Sequence, residues 1–426
     1  MNVLIIGSGG REHAMVKKTA ESPRVKELYC APGNPGMAGV CTCVDIKQDD
    51  IEGLARFAKA QAIDLTIVGP ELPLTLGIVD VFKEKGLLIF GPDRRASILE
   101  GSKIFTKEFS KKYSIPTAAF ETFDDAARAV AFLDSLKKYP VVIKADGLAS
   151  GKGVIIAKDH DEAVSAVRDM MIDKNFGTAG QKILIEDYIN GHEASFIVVS
   201  DGKHFSEFSS SQDHKRLLDN DLGPNTGGMG AFAPATLVTP RLREKIINTI
   251  IRPTLTGMEK EGRPYTGFLY AGVMVDEGGE PLLLEYNCRL GDPEAEVILP
   301  LLKSDFIDFV MHSLDGTLKQ YQPAFHEGSA VCVVLASQGY PAAYQTGFEI
   351  SGLDSVTDPD CFVFHAGTAT RNGRYITNGG RVLTVTARGD DLCAAVKRVY
   401  QNTEKIYWQG VHYRRDIAQK GLNVSA

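Results

Sequence analysis

Lys144-Ala145-Asp146-Gly147-Leu148-Ala149-Ser150-Gly151-Lys152-Gly153-Val154 links two short apolar runs, Tyr139–Lys144 and Val154–Ala157. Both runs read as strands, being brief and rich in Val and Ile. Three glycines in the link let the backbone come close to polyphosphate oxygens, and Lys152 adds charge beside Gly151 and Gly153. This is not a Walker A loop. The spacing is one residue short, Gly153 stands where a magnesium-binding hydroxyl is needed, and a strand rather than a helix follows. A flexible hairpin loop without a ligand is the alternative reading.

A second stretch, Leu283-Leu284-Glu285-Tyr286-Asn287-Cys288-Arg289-Leu290-Gly291-Asp292, reads as a strand ending in a polar turn. Side chains two apart on a strand share a face. Glu285 and Asn287 therefore offer two hard oxygen donors together, which suits Mg²⁺. Arg289 extends that face and can grip an anion bidentately. A polar strand end facing water is the alternative. The apolar run before Glu285 argues against it, because a carboxylate placed in a core needs a partner.

At the N-terminus, Val3-Leu4-Ile5-Ile6 runs into Gly7-Ser8-Gly9-Gly10-Arg11-Glu12-His13 and a helical stretch, Arg11 to Glu21. Backbone N–H groups at a helix start attract anions, so Gly9, Gly10 and Arg11 are candidates for a substrate phosphate. Glu12 occupies the third glycine position of the dinucleotide fingerprint, which weakens a nicotinamide-cofactor reading. A plain tight turn remains open. The polar loop Ser211–Gly230 carries Asp213, Lys215, Asn225 and Thr226, suited to a small zwitterion, with a solvated surface loop as its alternative. His13 and His214 read as structural rather than as general bases.

The chain has 426 residues, 44% hydrophobic and 24% charged, with net charge −7. That length holds several domains. The acidic balance argues against nucleic-acid and membrane-surface partners, which need a basic footprint. Seven Cys without a C-x-x-C pair suit a reducing, cytoplasmic setting. No signal peptide and no membrane span is expected. Strands alternating with helices over the first hundred residues predict a parallel doubly wound sheet. A small βαβ-like lid follows, with its first strand starting at Ile115-Pro116. Beyond it the pattern is mixed α+β, with 211–233 as a loop, and a β-rich segment follows Pro323. The expected domains are 1–102, 103–190, 191–323 and 324–426, in an α/β and α+β multidomain chain.

The glycine loop and the Glu285–Asn287 strand, in this order and separation, resemble the ATP-grasp superfamily. With Gly7–His13, Gln212–Arg216, Asn225–Gly230 and Glu285–Glu294 added, essentially the whole chain resembles the phosphoribosylamine–glycine ligase family. The resemblance implies a Rossmann-like N-terminal domain, an ATP-grasp fold and a C-terminal domain like that of biotin carboxylase. It implies ATP as substrate and Mg²⁺ or Mn²⁺ on Glu285 and Asn287. Lys103 and Lys144 would neutralise ATP phosphates, Glu186 would accept from the adenine amino group in the hinge Ile185–Ile189, and Glu193 would bind the ribose. Glycine would be activated as glycyl phosphate and captured by 5-phosphoribosylamine, with Arg289 at the acyl phosphate, Asp213 at the amine and Glu71 at the substrate ribose. A monomer acting on small molecules is expected. The position where many ATP-grasp ligases carry a further metal-binding acid falls near Gly272, so the number of metal ions stays open. Rival readings are a carboxylase or formate-using relative, a nicotinamide-dependent oxidoreductase, and a nucleotide-binding module without turnover.

Overall fold

The computed structural model describes residues 1–148, 153–173, 175 and 177–424. Its first layer is a five-stranded parallel sheet of β1 (Asn2–Gly7), β2 (Glu27–Pro32), β3 (Thr42–Cys43), β4 (Leu65–Val68) and β5 (Ile89–Phe90), in the order β3-β2-β1-β4-β5. The connecting helices include α1 (Gly10–Ala20), α2 (Ile51–Ala60), α3 (Glu71–Leu76) and α4 (Ile78–Glu84). Val3 to Ile6 are fully buried, as expected of a central parallel strand covered on both faces. The strand order reverses between β1 and β4, which opens a crevice at their carboxyl ends.

Two helices, α5 (Ile98–Gly101) and α6 (Lys103–Lys112), lead into the lid: β6 (Phe120–Phe123), α7 (Ala126–Ser135), β7 (Val141–Ala145), β8 (Val154–Ala157), α8 (His160–Val167) and β9 (Ile183–Asp187). Its sheet runs β6-β9-β7-β8 with every pair antiparallel. The βαβ expectation is corrected here: alternating strand and helix signals do not reveal which strands become neighbours. Ile115-Pro116 starts no strand either. Thr117 instead makes a single parallel bridge to Leu283, its hydroxyl donating to that carbonyl at 2.6 Å.

The larger sheet, β11-β10-β16-β17, is antiparallel and joins β10 (Gly191–Asp201), β11 (Phe205–Glu207), β16 (Thr266–Asp276) and β17 (Pro281–Asn287). The stretch expected as a loop contains four short strands, β12 (Gln212–Asp213), β13 (Arg216–Leu218), β14 (Leu222–Asn225) and β15 (Gly230–Ala233). The helices α9 (Pro240–Ile246) and α10 (Arg252–Lys260) are joined by a π turn, Ile247–Ile251. Pro253, which lacks an N–H, sits just after that irregular turn. Next come α11 (Ala295–Leu301) and α12 (Phe306–Leu314), then β18 (Ser329–Ser337), β19 (Cys361–His365), the hairpin β20 (Thr368–Arg371) and β21 (Arg374–Thr377), β22 (Arg381–Gly389) and α13 (Leu392–Thr403).

The last large sheet runs β12-β15-β18-β22-β19, so two strands from residues 212–233 complete a sheet built mainly from the C-terminal segment. Ala231 and Phe232 on β15 are fully buried by that pairing. Leu335 on β18 lies in the core under this sheet, with no exposure. Leu335→Ala is expected to destabilise the protein by about 2–5 kcal/mol, the usual cost of a buried leucine cavity. Urea unfolding followed by tryptophan fluorescence checks this, since Trp408 belongs to the same cluster.

Candidate active site

A cavity of about 660 Å³ lies between the strand ends of the parallel sheet, the lid, and strands β16 and β17. Arg11 and Glu71 line it from the first sheet, Lys144 and Gly153 from the lid, and Glu285 and Asn287 from β17. Gly272 faces Glu285 across the β16–β17 ladder, so no further side chain competes for space there. The Glu285 carboxylate makes no hydrogen bond or ion pair among the described residues. Burial alone would raise its pKa, but Lys215, Lys144, Lys103 and Arg289 together hold it below the ordinary carboxylate value. It therefore stays an anionic oxygen donor facing the cavity. The Asn287 side-chain oxygen accepts from Arg289 at 2.9 Å and keeps a second lone pair. Among the described residues no group of three or more His, Cys, Asp or Glu is placed to hold a metal ion. Two oxygen donors in a polyphosphate-sized cavity suit a cation that takes its remaining ligands from phosphates and water.

Lysines surround this floor. Lys103 donates to the carbonyls of Ala145 and Gly147 at 3.2 and 2.8 Å, tying α6 to the start of the glycine loop. Lys144 lies 3.1 Å from Glu186 Oε1 and Lys107 lies 3.0 Å from Glu186 Oε2. The carboxylate given to adenine by resemblance is thus bracketed by two ammonium groups, while still lining the cavity. Burial pushes Lys107 down to about 8, against the opposing pull of Glu186. Gly153, Ile189 and Glu193 line the same cavity. Gly151 and Lys152 lie outside the described residues.

Arg289 is the centre of a second network. Its Nε meets Glu71 at 3.1 Å and its Nη2 meets Glu100 at 3.1 Å as well as Asn287. A planar guanidinium reaches all three at once, which a lysine cannot. Burial would raise Glu71, but Arg289 and Arg11 bring it down to about 2. Burial holds Glu100 above the ordinary value despite Arg289.

Across the cavity, Lys215 lies 3.0 Å from Asp213 and 3.8 Å from Glu193. Burial raises Asp213 to about 7, with Glu294 and Glu193 adding to the rise and Lys215 opposing it. Glu294 accepts from Ser195 at 2.9 Å and from Tyr270 at 2.7 Å. Thr226 folds back onto the Lys215 carbonyl through its N–H and hydroxyl, at 2.7 and 2.9 Å. Asn225 lines the cavity from an exposed position. Sequence reasoning missed Lys107, Glu100, Glu294 and Arg381, all of which line the cavity. Only Glu294 carried a signal, as the end of the Glu285–Glu294 run. Arg381 donates to the carbonyls of Gly227 and Asp292 at 2.7 and 2.8 Å.

Gly9 and Gly10 stand apart from the lining of this cavity. The Gly9 N–H donates to Glu12 Oε2 at 2.7 Å. Glu12 caps its own helix and fills the crevice between Gly7 and Gly69. A methyl group at Gly69 would lie 2.2 Å from Glu12 Oε1, and one at Gly10 would lie 2.4 Å from Glu296 Oε1. Carboxyl groups thus crowd the helix start where a phosphate was expected. Arg11 alone of the three reaches the cavity, its Nε 2.5 Å from Glu12. His13 Nδ1 accepts from the His365 N–H at 2.8 Å, and burial holds both rings toward the neutral form. His214 is likewise buried, its pKa lowered to about 3 by burial and by Arg414.

Replacing Arg289 by Leu leaves the buried Glu100 carboxyl without its cation and the partly exposed Glu71 with Arg11 alone, and is expected to cost about 3 kcal/mol at neutral pH. Glu71 has a folded pKa of about 2, below its ordinary 4.5, so its share of that stabilisation is full above pH 4.5 and fades as pH falls toward 2. Chemical denaturation of both proteins across pH 3–7 reads this narrowing gap.

Three models of one family cover nearly the whole chain: the N domain of phosphoribosylglycinamide synthetase over residues 1–100, its ATP-grasp (A) domain over 101–295, and its C domain over 330–420. The phosphoribosylamine–glycine ligases of Vibrio vulnificus and Pseudomonas aeruginosa are each 49% identical over 424 residues, covering 99% of this chain and 99% and 98% of theirs. The crystal structure of the phosphoribosylamine–glycine ligase of Thermotoga maritima superposes with a TM-score of 0.85 at 36% identity, covering 98% of this chain and all of that one. The biotin carboxylase domain of Hydrogenobacter thermophilus 2-oxoglutarate carboxylase, solved with MgADP and bicarbonate, gives a TM-score of 0.72 at 16% identity over 100% of this chain and 98% of that one, a likeness of fold. The glycine-loop lid, the paired oxygen donors on β17 and the full-length match agree: this chain belongs to the phosphoribosylglycinamide synthetase family.

Proposed function

We propose that the cavity joins glycine to 5-phosphoribosylamine in two steps through glycyl phosphate. As a member of its family the chain is an ATP-dependent carbon–nitrogen ligase of purine biosynthesis. In the first step a glycine carboxylate oxygen attacks the γ-phosphorus of ATP, the bond to the β-phosphate oxygen breaks, and ADP leaves. In the second step the amine of 5-phosphoribosylamine attacks the acyl carbon, the carbon–oxygen bond breaks, and phosphate leaves with the electron pair. The observation that carries this reading is Glu285, an ionised carboxylate without a protein partner among the described residues, beside Asn287 and ringed by four cations.

A divalent cation, Mg²⁺ or Mn²⁺, fits Glu285 and Asn287 and would neutralise phosphate charge. Lys144 and Lys103 would meet phosphate oxygens beside Gly153, and Gly151 and Lys152, outside the described residues, are proposed as further ATP-binding residues. Glu186, Ile189 and Glu193 would hold the nucleoside. Asp213 and Lys215 would take the glycine amine and carboxylate, with Asn225 and Thr226 beside them. Arg289 would steady the acyl phosphate, and Glu71 and Arg11 the ribosylamine. Held together, these groups act by positioning and charge stabilisation, the main resources of phosphoryl transfer. Lid closure would exclude water from the acyl phosphate. No helix among the described residues is long and apolar enough to cross a membrane, and we place the enzyme in the cytoplasm, acting as a monomer.

ADP release from ATP should depend on glycine and ribosylamine 5-phosphate together, and not on bicarbonate or formate. Glu285→Ala should lower that rate by about 10²-fold or more. A wild-type rate in the variant, or turnover with bicarbonate, overturns the assignment. Asp213 ionises near pH 7, and only its carboxylate attracts an ammonium group. Wild-type kcat/KM for glycine should therefore rise between pH 6 and 8, and Asp213→Asn should be slower and flat over that range. Initial rates in glycine titrations at each pH measure both.

A further inference from the structure

Glu186, on β9, is enclosed with two lysines where one would balance it. Lys107 reaches it from α6 and stands 3.0 Å from Oε2, while Lys144 reaches it from β7 and stands 3.1 Å from Oε1. The lysine side chains are 2% and 7% exposed, and that of Glu186 is 2% exposed. Two ammonium groups on one carboxylate leave a positive charge over, in a place where an unbalanced charge is costly. Glu285 is the other carboxylate whose field reaches both lysines, and it faces the proposed cation site. The surplus charge therefore suits an anion arriving with the nucleotide. The two lysines are held differently. Lys107 donates to the Thr117 hydroxyl at 2.6 Å, and that hydroxyl donates in turn to the Leu283 carbonyl at 2.6 Å. This relay ties α6 to β17 and fixes the Lys107 ammonium on the Oε2 side of Glu186. Lys144 donates to the Leu284 carbonyl over a long 3.4 Å. Although Lys144 lies beside Glu186 Oε1, that oxygen accepts no hydrogen bond among the described residues. Lys144 also stands near the end of β7, just before the glycine loop.

We propose that Lys107 is a positioning residue: by holding the charge of Glu186 it frees Lys144 to turn to an ATP phosphate. The inference rests on the reading that Lys144 meets phosphate oxygens. Without Lys107, Glu186 would have Lys144 as its sole counter-ion, and stripping a buried carboxylate of its last partner is strongly unfavourable. With Lys107 in place, Lys144 can leave without stranding that carboxylate. Burial lowers Lys107 to about 8 against the pull of Glu186, so it carries its charge at pH 7.

The test is calorimetric titration of a non-hydrolysable ATP analogue, with Mg²⁺ present, into the full chain at pH 7. Lys107→Met should weaken the analogue about tenfold, the loss of one charge-assisted contact. Adding Glu186→Gln should bring affinity back to within about threefold of wild type, because glutamine keeps an acceptor oxygen but no longer claims Lys144. A purely structural Lys107 would give the reverse, a second loss on top of the first. Lys144→Met tests the underlying reading and should also weaken the analogue about tenfold. If it binds like wild type, the phosphate role of Lys144 falls and this inference falls with it. If Lys144→Met binds weakly while Lys107→Met binds like wild type, or if the double variant is no tighter than Lys107→Met, the positioning role alone is overturned. Should Lys107→Met not fold, the double variant, which buries no unpaired carboxylate, decides by itself: affinity within about threefold of wild type supports the role, and a larger loss overturns it.

Discussion

The guanidinium of Arg289 is the tie on which the cavity depends. It stands between Glu71 at the end of the first sheet, Glu100 on α5 and Asn287 on β17. Those groups come from separate layers; Glu100 and Asn287 are largely out of bulk water and Glu71 is partly so. In a low-dielectric setting an unpaired charge is costly, so the three layers are held where one planar fork can satisfy them all. The same cation contributes to keeping Glu285 ionised. One charge thus joins the layers and, with three lysines, helps hold Glu285 anionic.

A second constraint is the balance of lysines and carboxylates around it. Lys144 and Lys107 share Glu186, and Lys215 shares Asp213 and Glu193. At the start of α1 the Gly9 N–H is taken by Glu12 of the same helix. Lysines and arginines line the cavity together with a similar number of carboxylates.

Much of this was legible in the sequence, for reasons that are local. Glu285 and Asn287 share a face because strand periodicity is two, and no tertiary information is needed to see it. Lys107 and Glu100 were not legible: Lys107 is one of several charges on α6 and Glu100 the lone charge in a single turn, and only the arrival of Glu186 or Arg289 from far along the chain makes them part of the site. The lid illustrates the same limit, because local signals give strands and helices but not adjacency. β12 and β15 were missed since runs of two and four residues in a Gly- and Asn-rich stretch show no period. Glu12 was visible only as a departure from glycine, and its role as a plug required knowing that Gly7 and Gly69 leave it room.

The strands β12 and β15 carry a consequence for how the molecule comes into being. Asp213 lies on β12, which pairs with β15, and β15 finds its other neighbour only in β18. During synthesis from the N-terminus, Ser211 beside β12 can already pair with Ser195 on β10, but β15 lacks its second neighbour until β18 has left the ribosome. One wall of the cavity is therefore finished last, and a nascent chain with its lid and the Glu285 strand already made still lacks a settled wall beside Asp213.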